Sequence, residues 1–213
     1  TEEAEVKKVA AATKYTDPGR GDKATAPKPI ETVWIDDSLP AGAKPTASGS
    51  GLPKWEFVTR PKHPVHSGKK ASRRKATGLG QHFFTGANPG LKISAGDRLF
   101  AWVHLDPLDL PQQIMLQFND GNWEHRAFWG KDLISWGKPG TPSRHAAGTL
   151  PAAGKWVRLE VAAADVGLKP GAVLNGWAFT QHGGTVIWDT AGIVTNAGPA
   201  NRLFDSLAAW EDW

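Results

Sequence analysis

Two runs of alternating residues, 114–118 and 123–129, flank the tetrad Asn119, Asp120, Gly121 and Asn122. An Asp-Gly pair between alternating runs is the strongest short-range hairpin signal, because both central residues of the turn must accept positive φ. With Asp120 and Gly121 as a two-residue turn, Phe118 faces Trp123, Gln117 faces Glu124, Leu116 faces His125 and Met115 faces Arg126. One side of this ribbon carries Ile114, Leu116, Phe118, Trp123, His125, Ala127 and Trp129, and is the expected core face. The other carries Met115, Gln117, Glu124, Arg126 and Phe128, an expected open sheet surface with amide, carboxylate and guanidinium side by side.

The remaining strand signals lie on either side of this ribbon. Residues 32–36 predict a first strand, followed by a loop through 51; 55–58 and 80–85 predict short strands, and 91–93 leads to a turn at Ala95, Gly96 and Asp97. The near-continuous apolarity of 98–105 predicts a central strand buried on both faces. Residues 155–161 alternate cleanly, and 131–148 is a Gly, Pro and Ser loop that contains Trp136 and Arg144. Residues 173–181 and 185–188, separated by His182, Gly183 and Gly184, predict a last hairpin, with 193–195 extending its second strand. Short strands, close turns and 24 Gly with 16 Pro predict an all-β antiparallel sandwich of the jelly-roll kind. The sandwich is expected over 31–196. An N-terminal extension over 1–30 combines a short helix before residue 16 with a linker. A C-terminal extension over 197–213 has helical apolar spacing through Leu203, Phe204, Leu207 and Trp210.

No cysteine is present, which excludes disulfides, thiolate metal sites and a cysteine nucleophile. No run approaches the roughly 18 consecutive apolar residues of a membrane span, so membrane insertion is not expected. The chain begins at Thr1, and this predicts a fragment of a longer protein. Its net charge of +4 is unevenly spread. Between Phe57 and Gly96 there are eight Lys and Arg and no acid, whereas the other 17 face all 21 acids. Arg60, Lys69, Lys70, Arg73 and Arg74 are therefore candidates for an anionic-ligand patch suited to sulfated or acidic polysaccharide. The competing reading is a solvated, mobile loop. Nucleic acid is not expected, because no aromatic residue interleaves with these charges to stack bases.

A glycan site needs a flat ring for the pyranose face and planar polar groups for vicinal hydroxyls. Gln117, Glu124, Arg126, Trp136 and Arg144 are the candidates; against this, Glu124 and Arg126 stand two apart and can simply pair with each other. Trp123 and Trp129 are expected in the core. Asp36, Asp37 and Asp189 lie at strand ends that a sandwich brings together. They could hold a structural Ca²⁺ or accept hydrogen bonds from turn amides. His82, His104, His125, His145 and His182 show no metal-binding spacing. Glycoside hydrolysis would need two carboxylates across a cleft, and nothing singles out Glu124 with Asp120 or Glu160.

The run Trp123, Glu124, His125, Arg126, Ala127, Phe128, Trp129, Gly130 resembles a signature of a bacterial extracellular β-sandwich domain found in RHS-repeat surface proteins and in large planctomycete proteins with cytochrome-c-like domains. Residues 33–43, 81–86, 95–100, 150–160 and 188–192 resemble other parts of it, and together they span roughly 32–193. The resemblance implies a carbohydrate-binding-module-like sandwich without a catalytic motif, secreted, periplasmic or on the cell surface, and joined to other domains. The basic insert between Arg60 and Lys75 departs from the pattern, and this chain has neither an RHS repeat nor a haem motif. The expected function is non-catalytic polysaccharide binding. A structural or protein-interaction module and a glycan-active enzyme are the rival expectations.

Overall fold

The computed structural model describes residues 28–51 and 55–195. The helix expected before residue 16 and the helical segment expected over 197–213 lie outside them. Fourteen strands follow in order: β1 Ile30–Ile35, β2 Lys44–Gly49, β3 Glu56–Thr59, β4 Lys70–Lys75, β5 Leu79–Thr85, β6 Leu91–Lys92, β7 Arg98–Leu105, β8 Gln113–Asn119, β9 His125–Gly130, β10 His145–Gly148, β11 Trp156–Ala162, β12 Val173–Leu174, β13 Gly176–His182 and β14 Thr185–Thr195.

They form a sandwich of two six-stranded sheets. The first runs β11-β7-β14-β4-β3, with β1 beside the second half of β14; the second runs β10-β9-β8-β13-β5-β2. All pairs are antiparallel except β10 with β9. Leu99, Ala101, Val103 and Leu105 of β7 meet Ile114, Leu116 and Phe118 of β8 in one buried core. Phe179 of β13 stacks on Trp188 of β14, with centroids 4.7 Å apart and planes 13° apart, which joins the sheets through their middle. Each such side chain, fully buried, contributes about 1.5–3 kcal/mol.

The long strand β14 keeps its inward pattern by a bulge. Its register with β7 shifts between Asp189 and Ala191, and Thr190 has φ +36°. The extra residue resets the alternation, so Val186 and Trp188 before it and Ala191 and Ile193 after it all reach the core.

Four expectations need correction, and the first is the loop expected over 131–148, whose last four residues form β10 beside β9. The hairpin expected from 173–181 and 185–188 does not form: β13 lies in the second sheet between β8 and β5, while β14 lies in the first. Gly183 and Gly184, at φ +72° and +70°, turn the chain from one sheet to the other. Gly184 lies so close to the backbone of Leu110 and Pro111 that a Cβ has no room. The loop expected after the first strand contains β2, an exposed edge strand with little apolar alternation to reveal it. The loop expected over the basic segment contains β4. On that strand Ala71 and Ser72 are buried, and the Arg74 guanidinium turns inward to donate to the carbonyls of Ser48 (3.0 Å) and Ser50 (2.6 Å).

Candidate functional site

The central ribbon forms, but with a longer turn. Phe118 pairs with His125, Gln117 with Arg126, Leu116 with Ala127 and Met115 with Phe128, a register two residues from the expected one. Two Asx contacts lengthen the loop. Asn119 Oδ1 accepts the Gly121 amide at 2.9 Å, and Asn122 Oδ1 accepts the Glu124 amide at 2.8 Å. A slip of two leaves every strand residue on its expected face, because side chains alternate with period two. The slip does remove Trp123 from the strand, so its expected core position is corrected: it stands in the loop, half-buried, edge-on to Phe83 at 5.7 Å.

The outward face is not an open surface either. The chain after β9 folds back over it, and Ile134 and Trp136 pack on Met115 and Phe128. Gln113 Oε1 holds this segment by accepting the amides of Leu133 (2.7 Å) and Ile134 (2.8 Å). What remains is a groove of about 220 Å³ lined by Gln81, Phe83, Gln117, Trp123, Arg126 and Trp136.

Its floor is a hydrogen-bonded row across five strands. Gln81 Nε2 donates to Ser48 Oγ at 2.9 Å, and Gln117 Nε2 donates to Gln81 Oε1 (2.9 Å) and Thr180 Oγ1 (2.7 Å). Arg126 Nε donates to Gln117 Oε1 at 2.9 Å. Beyond it, Arg126 Nη1 donates to the Ser143 carbonyl at 3.0 Å, and its two Nη atoms hold the Glu124 carboxylate at 3.2 and 3.3 Å. Gln117 and Arg126 are 3% and 6% exposed, yet both line the groove. The Glu124 side chain, 62% exposed, forms a rim. The Arg126 hydrogen bond holds its carboxyl below the usual range. A row whose members fix one another is preorganised, so a ligand need not order it.

Gln117, Arg126 and Trp136 therefore meet as expected, with Glu124 at the edge. Arg144 does not line the groove: its Nε and Nη2 clamp Asp132 Oδ1 at 2.8 and 2.6 Å, which pins the covering loop to itself. Trp123, Gln81 and Phe83 were missed. Two Asn flanking an Asp-Gly pair were the signal for the longer turn that frees Trp123, whereas nothing local shows which strand Gln81 and Phe83 would face.

The basic residues do not form one patch. Alternation along β4 sends Arg74 inward, while Arg73 pairs with Glu56 at 3.2 Å. Arg60 donates to the Val65 carbonyl at 2.7 Å, and Lys69 and Lys70 are exposed where their amides bind Asp37 Oδ1 (2.6 and 2.7 Å). All five belong to the first sheet or its loop.

Asp36 and Asp189 do come together, since β1 pairs with β14, and Thr190 Oγ1 lies 3.3 Å from a carboxylate oxygen of each. Asp189 Oδ2 accepts the amides of His66 (2.8 Å) and Ser67 (3.2 Å), and Oδ1 accepts that of Thr190 (2.8 Å). Asp37 holds the next stretch of the same loop. As placed, Asp37 and Asp189 accept backbone amides and Asp36 accepts the Thr190 hydroxyl, and among the described residues no three of His, Cys, Asp and Glu gather where one metal ion could be held. Burial raises the Asp189 carboxyl to about 6 against the pull of those amides, with the Asp36 carboxyl beside it adding to the rise. His82, sealed between the sheets and near Arg74, is lowered by burial to about 3.

No protein-family model matches this chain, and no curated protein matches it. Among solved structures, it is similar to the K1 cleaved adhesin domain of Lys-gingipain from Porphyromonas gingivalis W83, at 13% identity, over 81% of this chain and 100% of that one, with a TM-score of 0.47. It is also similar to a family 11 carbohydrate-binding module from Clostridium thermocellum in complex with a β-1,3-1,4-mixed-linked tetrasaccharide. There the identity is 9%, the coverage 78% of this chain and 96% of that one, and the TM-score 0.46. No helix among the described residues is long and apolar enough to cross a membrane.

Proposed function

We propose that this sandwich binds a polysaccharide in the groove over β5, β8 and β9 without cleaving it, as one module of a larger secreted, periplasmic or surface bacterial protein. The observation that supports the reading is the pairing of aromatic walls, Phe83, Trp123 and Trp136, with a floor of amide and guanidinium groups. Aromatic faces cover the C–H side of a pyranose ring, while planar polar groups match its hydroxyls. At about 220 Å³ the groove is smaller than the roughly 300–1,000 Å³ of enclosed small-molecule sites, which suits a short stretch of a longer chain.

The chemistry of the lining favours binding over hydrolysis. None of the six lining residues is a carboxylate, and the rim carboxylate of Glu124 is tied to Arg126. A glycosidase would need a second carboxyl about 5–10 Å away across the scissile bond. Affinity gels and a glycan array test the proposal: retention on at least one polysaccharide that Trp123→Ala abolishes is expected. A folded protein retained by none would overturn it.

A further inference from the structure

We infer that the groove takes an uncharged glycan and not a sulfated or carboxylated one; the inference rests on the binding reading above and deepens it. Of the six lining residues only Arg126 carries a charge. Four of its five N–H donors are already committed, Nε to Gln117, Nη1 to Ser143 and Glu124, and Nη2 to Glu124, and the Glu124 carboxylate offsets its charge. An anionic group entering the groove would have to displace the Glu124 carboxylate, or approach it and be repelled. Arg144, on the covering loop, is neutralised in the same way by Asp132. Lys44 and Lys138 are exposed and outside the lining, and the basic residues of the 60–75 segment belong to the other sheet.

The same pair suits neutral sugar hydroxyls. Each terminal nitrogen of a guanidinium carries two hydrogens, so Arg126 Nη2 keeps a donor beside its bond to Glu124, and the carboxylate oxygens keep free lone pairs. A donor and an acceptor held side by side match two neighbouring hydroxyls, one accepting from Arg126 and the other donating to Glu124. The walls add ring stacking, which needs no charge.

The test is affinity electrophoresis of the chain in gels containing neutral polymers (mixed-linkage β-glucan, galactan, xyloglucan, glucomannan) or anionic ones (polygalacturonate, heparin, dextran sulfate), at low and high salt. The expected result is retention by a neutral polymer that changes less than about twofold with salt and is lost in Trp123→Ala. Glu124→Gln should release the Arg126 charge and create salt-sensitive retention by the anionic polymers. If anionic polymers alone retain the unaltered chain, and Trp123→Ala abolishes that retention, the charge inference is overturned while the glycan reading stands. If Glu124→Gln gains no anionic retention, Glu124 is not what neutralises the groove, and the inference fails. No retention by any polymer overturns the glycan reading and this inference with it.

Discussion

Arg126 and Gln117 face each other across β8 and β9, and the guanidinium Nε donates to the amide Oε1 at 2.9 Å while both side chains lie almost wholly out of solvent. This bond is the middle of the polar row: on one side it continues through Gln81 and Thr180, on the other to Ser143 and Glu124. A buried network of this kind is costly to break at one member, because the remaining groups lose partners without regaining water.

Arg126→Ala is therefore expected to destabilise the fold by about 2–3 kcal/mol, through the stranded Gln117 Oε1 and Ser143 carbonyl. Arg126→Lys should recover only part, since a point charge cannot serve acceptors fanned across a planar fork. Urea unfolding measures both, and a loss below about 0.5 kcal/mol for Arg126→Ala would contradict the network.

Trp123→Ala should behave in the opposite way. The side chain sits half-exposed in a loop, so folding should change by about 1 kcal/mol or less, while affinity for a retained glycan should fall by about tenfold or more. Isothermal titration alongside thermal unfolding separates the two effects.

Gly184→Ala should be severe for a residue that carries no chemistry. Its φ of +70° is strained for an L side chain, and a Cβ would meet the backbone of Leu110 and Pro111 where the chain passes between sheets. A loss of at least about 2 kcal/mol is expected by urea unfolding, whereas Gly121→Ala, at an open position with φ +121°, should cost less because only the backbone strain applies.

Two buried groups should give opposing pH slopes. The unfolded chain protonates His82 below 6.5 and the folded chain only near 3, so this residue lowers stability as pH falls through that range. The folded chain keeps a proton on Asp189 up to about 6 that the unfolded chain releases above 3.8, so this residue lowers stability as pH rises from 3.8 to 6. Between about pH 4 and 6 the two largely cancel, leaving a shallow profile from this pair. Asp189→Asn removes one side of the balance. Relative to the unaltered chain its stability should fall as pH drops from 6 to 4, by up to about 1.4 kcal/mol per pH unit. Parallel curves would show that Asp189 is ionised throughout.

The sandwich was legible because apolar alternation marks strands with one face toward the core, as in β8, β9 and β11, and near-continuous apolarity marks the central strand β7. Strands stabilised in other ways were not. Edge strand β2 shows almost no alternation, and β4 hides a buried guanidinium among surface cations. The site was half legible. Parity placed Gln117 and Arg126 on one face whatever the turn length, but the same turn length decided whether Trp123 entered the core or the groove. Gln81 and Phe83 depended on β5 lying beside β13, a pairing across 90 and more residues that no local pattern encodes.

The most direct test of the account is the pair of indole N–H resonances of Trp123 and Trp136 in a two-dimensional NMR titration with a soluble oligosaccharide of a retained neutral polymer. Both are expected to shift and saturate together, with the side-chain amide signals of Gln81 and Gln117 following them. Saturable binding that leaves all four unmoved, while signals from the first sheet shift, would contradict the groove as the site.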